Sequence, residues 1–320
     1  MDKIFQSSKR ISKNLSLLNF FTIFVIFLMI CLVVSPAKYI DSAQNGINLW
    51  ATKLVPSLFP FFVLSKIIIQ SNFLENKLCF LNPLTNNIFG IKSSSAYIFL
   101  ISILSGYPIG SMLVLESYKC GKINLIEAKK IITSTSVSGP LFIIGTVGVG
   151  MLNNTTCGYI ILLSHIFGAV FNGITYNFIF KLQKKNDCYK VNNTNSEPLN
   201  LTKAIKTSID SILLIGGLVC IFYVGLDAIS NIIPTPYYLQ GVFEITNGAN
   251  QISNQNISLF LKTLLCCAVI TFGGFCTHLQ SMCFLKQCDI SYKFFLIQKI
   301  THTLYSSILC AILCVIFKIF

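Results

Sequence analysis

The groups with chemistry to offer in this chain are polar residues set inside apolar runs. The stretch "LSGYPIGSM" places Ser105, Gly106, Pro108 and Gly110 where an ordinary membrane helix would continue, and "TFGGFCTHLQSM" does the same with Gly273, Gly274, His278 and Gln280. Ser136, Ser138, Gly139 and Pro140 precede "LFIIGTVGVG", and "EITNG" carries Glu244, Thr246, Asn247 and Gly248. A helix interrupted at membrane depth exposes the N–H groups and the positive dipole end of its second half, a setting that suits an anion. A carboxylate such as Glu244 beside apolar runs needs a cation, a proton or N–H donors, so it either takes a coupling ion or proton or caps the half helix that follows. His278 is either a ligand or a tie between two helices. Gly106 and Gly110, spaced as GxxxG, either break the chain together with Pro108 or let two helices pack closely.

The elements that must position these groups follow from composition. Of 320 residues, 53% are hydrophobic and 11% charged, with a mean hydropathy of +0.71, which indicates a polytopic membrane protein. Lipid offers no partner to a free N–H or C=O, so long apolar runs must cross as helices and the fold class is all-α. The apolar segments run over 17–35, 47–70, 95–115, 131–152, 157–181, 205–230, 257–285 and 294–318, about eight crossings. Two weaker stretches, 78–91 and 232–252, carry Gly, Asn and Pro and read as re-entrant or broken pieces packed inside protein. The first run follows Lys3, Lys9, Arg10 and Lys13, which reads as an anchor with a cytoplasmic amino terminus rather than a cleaved signal peptide. Net charge +13 is explained by lysines in cytoplasmic loops, so nucleic acid is not an expected partner.

No hydrolase, metalloprotease or phosphate-loop signature is present, and "GTVGVG" lacks the GxGxxG spacing, so an enzyme is not expected. The thirteen cysteines lie mostly in apolar runs without a CxxC pair and read as small apolar fillers, with no metal site and no cofactor expected.

Gly273 lies 167 positions after Gly106, and the same offset places Ile290 on Ile123 and Ser291 on Asn124. Paired interrupted segments in corresponding positions of two halves point to a transporter's substrate site. The organisation read from this is an amino-terminal membrane helix over 1–38, a first repeat over 39–181, a lysine- and asparagine-rich cytoplasmic linker over 182–203, and a second repeat over 204–320. The two breaks are expected to lie close together near mid-membrane.

With these segments assembled, the chain resembles the sporulation integral membrane protein family known as YlbJ, or stage V sporulation protein V, which carries the nucleoside-recognition (gate) domain. The resemblance rests on "LVPSLFPFFVLS", "SGYPIGSMLV", "INLIEAKKIITSTSVSGPLFIIGTVGVG", "GVFEITNGANQIS" and "TFGGFCTHLQSM", and covers about residues 40–318. It implies a gate-type transporter in the outer forespore membrane that moves dipicolinic acid, a pyridine dicarboxylate. The substrate-binding positions it implies are Ser105, Gly106, Pro108, Gly110, Ser138, Gly139, Asn247, Gly273, Gly274, His278 and Gln280, with Pro140 and Phe142 in the same motif and Glu244 for the coupling ion or proton. At Ser138 the chain departs from the expected pattern, where an amide-bearing residue would stand. The partners implied are a small anion and the lipid bilayer, with a homo-oligomer left open. The competing readings are a non-transporting structural or assembly protein of the spore envelope, and a carrier of nucleosides or other neutral solutes.

Overall fold

The computed structural model describes residues 22–23, 25–71, 82–91, 96–182, 200–232 and 236–319. Most of the linker 182–203 and the start of the first apolar run lie outside the described residues. Within them the chain is all-helical. Helix α1 (Val25–Val34) turns by 116° into α2 (Pro36–Leu49), because Pro36 sits at the first helical position and disfavours helical geometry at Ser35. A five-residue π-type turn, Trp50–Leu54, leads into α3 (Val55–Ser71), whose Pro60 withholds a ladder donor. Short pieces follow: α4 (Asn82–Phe89), α5 (Ala96–Ser105), α6 (Ile109–Lys119), α7 (Leu125–Thr135) and α8 (Leu141–Met151), the last wound as a π-helix. The long helices α9 (Thr155–Leu182) and α10 (Leu201–Ile232) precede the pair α11 (Tyr237–Phe243) and α12 (Ile245–Ser253), then α13 (Leu259–Phe272), α14 (Gly274–Leu285) and α15 (Tyr292–Ile316).

Four helical stretches, Thr155–Leu182, Leu201–Ile232, Leu259–Cys288 and Tyr292–Ile316, are long and apolar enough to cross a membrane, and the bent pair at the amino end makes five. Their outward faces are apolar at three- and four-residue spacing. On α9 the exposed stripe is Tyr159, Leu163, Phe167, Phe171 and Phe178, and on α15 it is Ile297, Ile300, Leu304, Ile308 and Ile312. A soluble protein would bury such stripes; on an integral membrane protein they are the faces suited to lipid.

The inward faces form two main hydrophobic clusters. One joins α3, α5, α6, α7, α10 and α14 through Phe62, Ile98, Leu113, Ile131, Ile215 and Phe284. The other joins α8, α9, α12, α13 and α15 through Ile143, Ile160, Ile252, Ile270 and Cys310. Several elements pass from one cluster to the other: α7 from Ile132 to Ile143 of α8, α13 from Ile270 to Cys276 of α14, and α15 from Phe295 to Cys310. The residues at these passages are polar and buried, namely Ser136, Ser138, His165, Thr271, Lys299 and His302. A polar layer is thus held between two apolar cores.

The 167-residue offset falls on like elements. Gly106 (φ +80°) and Gly273 (φ +91°) both end a helix in the left-handed region that favours glycine. Asn124 caps α7 in a reciprocal box with Glu127, accepting the Glu127 N–H at 2.8 Å, and Ser291 caps α15 by accepting the Phe294 N–H at 3.4 Å. One sequence expectation needs correcting. The run 131–152 was expected as one segment, but the chain leaves helical geometry over 136–139, since a residue before Pro140 disfavours the helical region and Gly139 is weakly helical.

Candidate functional site

Three breaks meet in the polar layer. The first, Gly106 to Pro108 between α5 and α6, and the second, Ser136 to Gly139 between α7 and α8, lie backbone to backbone: a methyl group on Gly106 would stand 2.4 Å from the Gly139 nitrogen. The third, at Gly273 between α13 and α14, abuts the first through the Tyr107 ring, whose Cζ and Oη would lie 3.4 Å from a methyl on Gly273. The sequence expectation that the two glycine-broken segments approach each other is met. Each break ends one helix and starts another of 11 or 12 residues, so the amino ends of α6, α8 and α14 are gathered here.

Three side chains from the long helices lock the breaks. His165 of α9 accepts the Ser138 backbone N–H on Nε2 at 2.8 Å, so its proton is on Nδ1, which donates to Thr271 Oγ1 at 2.9 Å. His302 of α15 stacks on His165 with ring centroids 5.0 Å apart and donates from Nε2 to the His165 carbonyl at 3.0 Å. Lys299 of α15, completely buried, donates to the Ser136 carbonyl at 3.0 Å and to the Tyr107 hydroxyl, and sits 4.7 Å from the centre of the Tyr107 ring. Tyr107 in turn donates to the Thr271 carbonyl at 3.3 Å. A second tie, Asn172 of α9, donates from Nδ2 to the Thr133 carbonyl at 2.8 Å and to Gln298 Oε1 at 3.2 Å.

The residues singled out from sequence divide. Ser105, Gly106, Pro108, Ser138, Gly139 and Gly273 sit at the breaks themselves. Gly110 belongs to α6 and serves close packing, since a methyl there would meet the Thr135 carbonyl at 2.3 Å. Both readings of the GxxxG spacing therefore hold, one at each glycine. His278 gives both nitrogens to the fold: Nε2 donates to the Phe272 carbonyl at 2.7 Å, and Nδ1 accepts from the Tyr292 hydroxyl at 3.3 Å. Gln280, also buried, donates to Cys276 Sγ at 3.4 Å. Gly274 abuts the Phe243 carbonyl and the Glu244 nitrogen, which brings α11 and α12 against the third break.

Glu244 caps α12, accepting the Thr246 N–H at 3.0 Å and the Asn247 N–H at 2.7 Å. Its other side faces a cleft of ≈ 220 Å³ lined also by Ser42, Asn45, Tyr223, Asp227 and Asn247. Replacing Glu244 by alanine is expected to lower stability by roughly 1 to 2 kcal/mol, because two N–H groups lose their acceptor and the helix amino end loses its charge. Thermal unfolding of the purified protein in detergent reads this, and an unchanged midpoint would count against the cap. Among the described residues no three His, Cys, Asp or Glu side chains are grouped to hold a metal ion.

Comparison with known proteins adds one relative. The sporulation integral membrane protein YlbJ of Bacillus subtilis (strain 168) is 25% identical over 337 aligned positions, covering 92% of this chain and 83% of that protein. The chain is similar to YlbJ. The resemblance read from its motifs is thereby supported along nearly the whole length, and both are integral membrane proteins. No protein-family model and no solved structure matches the chain.

Sequence reasoning passed over Lys299, His165 and His302. The reading that places the lysines in cytoplasmic loops does not hold for Lys299, since Ser291 caps α15 and Lys299 lies two turns into it. A usable signal was present, since Lys299 and His302 are spaced i, i+3 inside an otherwise uncharged run.

Proposed function

We propose that this chain is a membrane carrier for a small organic dianion, dipicolinate, acting in the outer forespore membrane during sporulation. The observation that supports this best is the meeting of three helix breaks in a buried polar layer between two apolar cores. Broken helices that present amino ends and hydroxyls at membrane depth are how a carrier gives an anion donors without many buried lysines. A scaffold protein has no need to bury a ring of polar groups, each of which costs free energy unless satisfied.

The relative's description as a sporulation protein supplies the setting. In this reading α3 and the shorter apolar pieces Ala96–Ser105 and Leu141–Met151, continued across their breaks by α6 and α7, add to the four long spans and the bent amino-terminal pair to give about eight membrane segments. The two gate-type repeats are 39–181 and 204–320, with α6–α7 corresponding to α14–α15. The substrate stands among Ser105, Gly106, Ser138, Gly139 and Gly273, while Glu244 and Asn247 shape the adjoining α11–α12 turn. The protein catalyses no covalent chemistry.

The test is made in sporulating cells of an endospore former that lack their own copy of the relative. Expression of this chain is expected to restore dipicolinate to the spores. Spores of normal envelope structure that remain without dipicolinate would favour the assembly reading.

A further inference from the structure

Lys299 is completely buried in α15, and among the described residues no carboxylate stands within ion-pair reach of it. An ammonium has three N–H donors, and the described residues supply two oxygen acceptors, the Ser136 carbonyl and the Tyr107 hydroxyl. The other buried lysine, Lys66, is treated differently: it donates to Thr207 Oγ1 at 2.7 Å and pairs with Glu116 at 3.9 Å. Two buried hydroxyls on the facing first and second breaks have no hydrogen-bond partner among the described residues. Ser136 Oγ belongs to the residue whose carbonyl Lys299 holds, and Ser105 Oγ belongs to the residue that opens the first break. Ser136 is itself 3% exposed. Unsatisfied buried hydroxyls are costly, and these two stand on facing breaks, one of them on the residue whose carbonyl the Lys299 amine holds, so both are free to donate to a bound group.

The carbonyl end of α7 and the Tyr107 ring face compensate the ammonium in part. A carboxylate would complete it: acceptor-only, with room for several donors on its two oxygens, and forming its strongest bonds to charged donors. We propose that Lys299 is the charge partner of one carboxylate of the transported anion, with the Ser136 and Ser105 hydroxyls donating to the same group. The inference rests on the carrier reading above and names the residue that makes the site selective for an anion. Because Lys299 is enclosed, the anion reaches it only when the loops at Gly106 and Gly139 part.

Binding to the full-length protein in detergent tests this, with pyridine-2,6-dicarboxylate, pyridine-2-carboxylate and pyridine-2,6-dicarboxamide as probes. The wild type is expected to bind them in that order, with the uncharged diamide weakest. Lys299→Met should weaken the dicarboxylate by roughly 100-fold and abolish its advantage over the diamide, while Lys299→Arg keeps it within about tenfold of wild type. Ser136→Ala removes a hydroxyl that bonds nothing in the protein, so it should leave the melting temperature unchanged while weakening the dicarboxylate about tenfold. That variant carries the test if Lys299→Met does not fold. Wild-type dicarboxylate affinity in Lys299→Met, or in both Ser136→Ala and Ser105→Ala, overturns the assignment and leaves the carrier reading standing. A wild type that binds and moves none of the probes removes the carrier reading, and this assignment with it.

Discussion

Replacing Gly106 by alanine is expected to destabilise the folded protein by roughly 2 to 5 kcal/mol. The backbone there has φ +80°, a region that costs an L-residue roughly 1 to 2 kcal/mol. The added methyl would also stand 2.4 Å from the Gly139 nitrogen, and forcing two backbones apart adds roughly 1 to 3 kcal/mol. Gly217→Ala is the matched control, since a methyl on that α10 glycine meets nothing within 4 Å and removes a helix-weakening residue, so it should be neutral or stabilising by at most about 1 kcal/mol. Thermal unfolding in detergent separates them. A Gly106→Ala protein that melts with the wild type would mean that the first and second breaks do not touch.

Replacing His165 by alanine is expected to cost roughly 3 to 5 kcal/mol, because three losses coincide. The Ser138 N–H and the Thr271 hydroxyl lose their partner in a buried layer, and a ring-sized cavity opens beside His302. Thr271→Val removes only the hydroxyl end of that chain, so it should cost about 1 kcal/mol. The two unfolding midpoints should therefore differ clearly. Equal and small shifts in both variants would show that His165 does not hold the second break in place.

Two of the three breaks were legible because glycine and proline in an apolar run leave few alternatives: Gly106 with Pro108 and Gly273 with Gly274 each mark a place where helical geometry is disfavoured. The break at Gly139 before Pro140 carries the same residue types, but the run 131–152 is apolar enough on both sides of it to read as one segment. The 167-residue offset was legible for the same reason, and Asn124 and Ser291, paired by it, are both helix caps. Side-chain roles were less so. His278 is as conspicuous in sequence as His165, but only the folded arrangement shows that Phe272 and Tyr292 take both of its nitrogens. Lys299 was hidden by a topology rule that counts lysines by loop, whereas the Ser291 cap moves the start of α15 two turns ahead of it. Glu244 left two roles open in sequence, and the N–H groups of Thr246 and Asn247 fill one of them.

Uptake into liposomes containing only this protein tests the carrier most directly. Radiolabelled pyridine-2,6-dicarboxylate is expected to enter protein-containing vesicles in a saturable way, to be competed by unlabelled dicarboxylate, and to be indifferent to added nucleosides. Accumulation no greater than in protein-free vesicles, or uptake of a nucleoside in place of the dicarboxylate, would show that the polar layer between the two cores serves something other than an organic dianion.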